Sequence, residues 1–185
     1  MPVHARALTV IGRLLADHRA RDPIEAVDVA RLQALVDGGD DVYARTTGVH
    51  VTGSAVVVHP PTRRVLLRWH PRMQMWMQVG GHFDPGEDDP LAVALRESEE
   101  ETGLTDLRVL TPEPVQIVIV PVPAFRGDPA HEHADFRYVF TTDQPDAIVA
   151  ESDAARLQWL SFDDAIAQTA EPNLREFLTR VVALA

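Results

Sequence analysis

The stretch from Gly80 to Leu104 reads GGHFDPGEDDPLAVALRESEEETGL, a glycine-rich turn running into a helix that carries Glu97, Glu99, Glu100 and Glu101. It constrains the fold more than any other segment, because it sets a helix, both helix ends and an electrostatic problem at once. Asp89 is placed to cap the N-terminus, Pro90 sits where a missing N–H is tolerated, and Gly103 supplies the C-terminal stop, so the helix is expected over Pro90 to Thr102. At about 100° per residue, Glu97, Glu100 and Glu101 fall within one third of the circumference and Glu99 points the other way. Leu91, Leu95, Ser98 and Thr102 form a separate stripe for burial. Like charges at these spacings destabilise a bare helix by about 0.2–0.5 kcal/mol per pair. The chain also carries a formal charge of −11, so four carboxylates within five residues need compensation, most simply a divalent cation. Hard oxygen ligands select Mg²⁺, Mn²⁺ or Ca²⁺. An isolated Glu-rich helix would by default be a solvated acidic face. Gly80-Gly81 shifts that balance, since glycines let the backbone approach closely and offer a carbonyl to a metal or an N–H to a phosphate. Arg96 is placed to orient a carboxylate by a bidentate pair, with Glu87 as its partner.

Gly81, Glu87, Arg96, Glu97, Glu100, Glu101, Gly103 and Leu104 resemble the Nudix box: G, five residues, E, seven residues, R-E, an apolar residue, any residue, E-E, any residue, G and an apolar residue. Two positions depart from the pattern. Eight residues separate Glu87 from Arg96, the extra one expected in the Asp88-Asp89 loop, and Ser98 occupies the apolar position. Neither alters the spacing of Glu97, Glu100 and Glu101; the longer loop bears instead on whether Glu87 reaches Arg96 or a metal. The resemblance implies an α/β fold, an α/β/α sandwich with a mixed sheet. It also implies hydrolysis of a nucleoside diphosphate linked to another group, or of a related phosphoanhydride, by metal-activated water. Mg²⁺ or Mn²⁺ is the implied cofactor, with Gly81, Glu87, Glu97, Glu100 and Glu101 as ligand candidates and Glu97, Arg96 and Glu100 as catalytic candidates.

A second constellation is His131-Glu132-His133-Ala134-Asp135-Phe136-Arg137-Tyr138-Val139-Phe140. If extended, it puts His131, His133, Asp135 and Arg137 on one side and Phe136, Tyr138 and Phe140 on the other, core-facing side. Arg137 and His133 are candidates for substrate contact, against the alternative of a solvated strand face. The His-x-His pair alone does not make a zinc site. Arg68 belongs to a looser group with His50, His70 and His82 that could line the same cleft. Glu151 and Glu132 are candidates for a general base or extra metal ligand contributed from outside the helix, with Glu97 a competing base. Trp69, Trp76 and the Met73, Met75 and Met77 alternation read as packing.

Length and composition, 185 residues with 45% hydrophobic content, suit one soluble cytoplasmic domain with an accessory segment. There is no cysteine, which excludes disulfides, thiolate metal sites and cysteine nucleophiles. The N-terminus reads as a helix rather than a signal peptide, and no apolar run reaches membrane-spanning length. With no basic stripe, a nucleic-acid polymer is not an expected partner; a small-molecule diphosphate is.

Residues 1–45 are expected as a helical extension packed on a domain formed by 46–185. Leu8, Ile11, Leu14 and Leu15 mark one amphipathic helix; Val29, Leu32, Leu35 and Val36 mark another, ending at Gly38-Gly39. Beyond packing, this extension could act as a lid or a dimerisation segment, the latter making the protein a homodimer. Strands are expected over Val51–Val58, Val65–Trp69, Val115–Val120, Phe136–Thr141 and Leu157–Leu160, and a helix through Leu174, Phe177, Leu178 and Val181. The rival functional class is a non-catalytic Nudix-like sensing or binding module. Isopentenyl diphosphate isomerases share the resemblance but use a cysteine, which this chain lacks.

Overall fold

The computed structural model describes residues 3–125 and 127–184, with side chains from Val10 onward, so Leu8 of the expected first helix falls outside the described side chains. Two helices come first, α1 (Val3–Asp17) and α2 (Pro23–Gly38). The second begins where Asp22 accepts hydrogen bonds from the Ile24 and Glu25 N–H groups, and ends at Gly39 with φ 82°, a left-handed cap suited to glycine. The strands β1 (Val49–His59) and β2 (Arg64–His70) are joined through a short turn at Pro60–Thr62. Two short strands follow, β3 (Met75–Met77) and β4 (Val79–His82), then α3 (Pro90–Thr102). The chain continues through β5 (Arg108–Val109), β6 (Gln116–Val122), β7 (His131–Thr141) and β8 (Leu157–Ser161) to α4 (Phe162–Gln168) and α5 (Pro172–Val182).

All eight strands share one mixed sheet. Its central pair, β1 and β7, is parallel from Val49↔Glu132 to Val58↔Thr141, and the other pairings are antiparallel. Both faces are covered, so β1 is buried almost along its length. Val51, Ala55 and Val57 join one core with Ile11, Leu32, Val93, Ala94, Phe136 and Tyr138. Val56 and Val58 join a second with Leu174, Phe177, Leu178 and Val181. This is the α/β/α sandwich, with α1, α2 and α3 on one side and α4 and α5 on the other.

The β6 edge is closed by carboxylates of α2. The Ile117 N–H donates to Glu25 (3.0 Å) and the Ile119 N–H to Asp28 (3.0 Å), pairing edge groups that would otherwise be exposed. Glu25 also accepts from Arg180 of α5 (2.8 Å), and Arg180 reaches Asp22 at 2.6 Å. Burial works to raise the Glu25 pKa, but hydrogen bonds from His18, the Arg21 and Ile117 N–H groups and Arg180 outweigh it and hold the group down at about 2.

The expected helices and long strands are present; β3, β4, β5 and α4 are additional. The Gly80-Gly81 pair lies within β4 rather than in a turn. The reason is packing: a Cβ on Gly53, cross-strand partner of Gly81, would strike the Pro90 carbonyl of α3, and one on Gly80 (φ 144°) would strike Ser54. Among the described residues no helix is long and apolar enough to cross a membrane.

Candidate active site

Helix α3 runs over Pro90–Thr102 as expected, with Asp89 accepting from the Leu91 N–H and Gly103 at φ 71°. Its buried stripe is rotated from the one expected: Val93, Ala94, Ser98, Glu101 and Thr102 are buried, while Leu91 and Leu95 are half-buried. Ser98 fits this stripe because its hydroxyl donates to the Ala94 carbonyl (2.6 Å). Glu99 and Glu100 are exposed.

The rotation carries Glu101 toward β4. Its Oε2 accepts the Gly80 N–H at 3.0 Å, and its Oε1 lies 3.3 Å from Arg68 Nη1. Burial pushes the Glu101 pKa up to about 7, against Arg68 and the Gly80 N–H, with Glu97 and Glu151 adding to the rise. Glu97 is raised as well, by burial, despite its bond from Arg96. Gly81 leaves room for that carboxylate, since a Cβ there would lie 2.5 Å from Glu97 Cδ. Two carboxylates whose burial resists ionisation, meeting at a backbone stripped of side chains, form a hard-oxygen donor set suited to a divalent cation.

Arg96 is the organising cation. It grips Glu87 with two hydrogen bonds, and it also donates to Glu97 (2.9 Å), Glu100 (3.2 Å) and the His82 carbonyl (2.9 Å). The extra loop residue therefore does not take Glu87 out of reach, and the Arg96 hydrogen bonds hold the Glu87 carboxyl below the usual carboxylate range.

Beside this cluster a cleft of about 250 Å³ opens on the α5 face of the sheet. Gly80, Gly81, Glu101, Arg68, His133, Asp135 and Arg137 all line it. The polar row of β7 is not a solvated strand face. Arg137 is fully buried, donating to Asp135 (2.8 Å), Gln116 (3.0 Å) and Asn173 (3.2 Å), while Asp135 also accepts from Thr52 (2.9 Å) and Ser54 (2.8 Å). Arg68, which lines the cleft, bridges two carboxylates, its Nη1 3.3 Å from Glu101 Oε1 and its Nη2 donating to Glu151 Oε2 at 3.0 Å.

Glu132 does not join the cleft. It occupies the opposite pleat from His131 and His133 and hydrogen-bonds Arg31 of α2 (2.9 Å), which removes it as a base or extra ligand for this site. The polar cleft residues Thr52, Ser54, Arg72, Gln78 and Glu171 carry no signal in the sequence that marks them for the site. Gln78 Oε1, Glu171 Oε2 and Arg68 Nε are buried without hydrogen-bond partners, so the cleft holds unmet acceptors and an unmet donor. Only the Glu-Pro pair at the start of α5 could have flagged Glu171, as a helix start.

A family model described as NUDIX domain matches residues 49–181. A curated relative named "Probable DHNTP pyrophosphohydrolase", from Lactococcus lactis subsp. cremoris (strain MG1363), is 30% identical over 82 residues, 44% of this chain and 49% of that protein. The match thus spans about half the length of that relative. Among solved structures, a C. elegans Ap4A hydrolase in a binary complex superposes with a TM-score of 0.57 at 20% identity, covering 74% of this chain and 96% of the other. The E. coli dihydroneopterin triphosphate pyrophosphohydrolase gives 0.52 at 22% identity, with 73% and 96% covered. At these identities the structural likeness speaks for the fold.

Proposed function

Given that the chain belongs to the Nudix family, we propose that it is a divalent-cation-dependent hydrolase of a phosphoanhydride, in a nucleoside diphosphate linked to another group or in a related diphosphate. The observation that carries this reading is the meeting of Glu97 and Glu101 at the Gly80-Gly81 backbone on the edge of the cleft. The names of the relatives agree with it, two of them being pyrophosphohydrolases and one an Ap4A hydrolase.

In this reading Glu97, Glu100 and Glu101, with the Gly81 backbone, hold Mg²⁺ or Mn²⁺. Such an ion supplies neutralisation of the diphosphate charge and activation of the attacking water. The remaining work falls to the chain itself. Both Glu87 oxygens are engaged, Oε1 by Arg96 and Oε2 by Arg96 and the Asp84 N–H, which suits Glu87 to positioning rather than ligation. Arg96 holds Glu97 and Glu100 in place. Arg68 offers its guanidinium to the substrate from between Glu101 and Glu151, and Glu151 is the base candidate contributed from outside the helix. His133, Gln78 and Glu171 face the substrate across the cleft, above the buried Asp135 and Arg137 pair.

The test is a hydrolysis panel of nucleotide sugars, dinucleoside polyphosphates, ADP-ribose, nucleoside triphosphates and dihydroneopterin triphosphate, each with Mg²⁺ and with Mn²⁺. Turnover of at least one substrate is expected, falling by orders of magnitude in Glu100→Gln and Glu101→Gln. Tight binding of one compound with turnover of none would replace this reading with a sensing module.

A further inference from the structure

The β1–β7 register places His50 beside His133, and β4 brings in His82 across β1. The result is a cluster of four imidazoles at one end of the polar sheet face. His50 is 2% exposed, and beyond the Thr47 backbone its ring nitrogens meet no hydrogen-bond partner. Its ring lies 4.9 Å from that of His133, 5.1 Å from His131 and 5.2 Å from His82. His82 Nε2 and His131 Nε2 each stand 3.1 Å from His133 Nε2.

The proton arithmetic of these contacts is unfavourable for the protein alone. His131 Nδ1 lies 2.9 Å from the Pro129 carbonyl, which only accepts, so Nδ1 carries the proton and a neutral His131 presents an Nε2 lone pair. His133 Nε2 holds at most one proton, yet it faces both His131 and His82. That one in-plane site, either N–H or lone pair, must serve two contacts, so one of them goes unpaired in the protein alone. The donor atoms of His50, His82 and His133, with His131 Nε2 beside His133, match instead the first shell of a metal ion. Nitrogens bound at about 2.0–2.1 Å in tetrahedral geometry lie about 3.3 Å apart, close to the 3.1 Å contacts here. The donor atoms of His50, His82 and His133 all fall within 4.8 Å of one another. The Pro129 carbonyl is then the outer partner that fixes the His131 ligand tautomer.

We propose that His50, His82, His131 and His133 form a binding site for a divalent transition-metal ion of the zinc class, distinct from the carboxylate cluster on α3. All-imidazole donors prefer Zn²⁺, Co²⁺, Ni²⁺ or Cu²⁺ to Mg²⁺. The site ties β1, β4 and β7 together, and through His82 and His133 it borders the cleft.

Chelator-stripped full-length protein is titrated with Zn²⁺ against a chromophoric chelator, and with Co²⁺ while the visible absorption is followed. One equivalent is expected to bind at micromolar concentration or tighter, with Co²⁺ giving tetrahedral bands that Zn²⁺ abolishes. His50→Gln and His133→Gln should each weaken binding by on the order of 100-fold, whereas a Glu97→Gln/Glu101→Gln double variant should retain it. Should a buried variant fail to fold by circular dichroism, His131→Ala at the more exposed ring, and Zn²⁺-induced ¹⁵N-histidine shifts in the unmodified protein, decide the matter. The proposal is overturned if no equivalent binds, if the histidine variants bind as well as the parent, or if the double glutamate variant alone loses the ion.

Discussion

Arg96 holds both oxygens of Glu87, Nε to Oε1 at 2.8 Å and Nη2 to Oε2 at 3.0 Å, across a loop one residue longer than the box pattern. A lysine cannot reproduce that fork or reach Glu97, Glu100 and the His82 carbonyl together. Arg96→Lys is therefore expected to lower kcat by about 10- to 100-fold with little loss of Tm, measured by steady-state kinetics beside thermal melts.

Gly81 and Gly12 are expected to respond to the same substitution in opposite ways. Gly81→Ala puts a methyl group 2.5 Å from the Glu97 carboxyl carbon and should weaken Mg²⁺ binding about tenfold or more, read from the metal dependence of activity. Gly12 sits inside α1 with nothing within 4 Å of an added Cβ, so Gly12→Ala should stabilise the protein by about 0.5–1 kcal/mol in urea unfolding.

With the Glu101 pKa near 7 and an ordinary carboxyl near 4.5, the metal-free folded state binds more protons than the unfolded one between these values. This group's contribution to stability is thus present at low pH and lost as pH rises through about 7. A cation that requires the ionised form must displace the proton. Mg²⁺ affinity should drop about tenfold per pH unit below about 7, and Glu101→Gln should flatten that dependence; calorimetry in buffers of different ionisation enthalpy would show the released proton.

Glu25 has the opposite sign. Its folded pKa, about 2, lies below the ordinary value of 4.5, so its stabilisation is complete above about 4.5 and is lost as pH falls through about 2. The loss should be on the order of 3 kcal/mol, seen as an acid transition that Glu25→Gln removes at the expense of lower stability at neutral pH.

The bounds of α3 were legible because Asp89, Pro90 and Gly103 each act locally. The glycines of β4 were not: their need arises from α3 lying across Gly53 and Gly81, a contact between segments distant in sequence. The alternation of His131 to Arg137 could be read from period two, but not its burial, which depends on Asn173 and Phe177 of α5 lying against Arg137. The same parity already set Glu132 against His131 and His133, and only its pairing with Arg31 needed the fold. His131-x-His133 looked incomplete as a metal site because its other donors, His50 and His82, arrive through strand pairing.

The Glu25–Arg180 pair spans 155 positions of chain. During synthesis Glu25 emerges early and must keep its hydration until α5 is made, because burying it before its guanidinium arrives would strand a charge. Docking of α2 onto the β6 edge with its charge satisfied accordingly waits on α5, so this corner of the fold closes through a contact of long sequence separation.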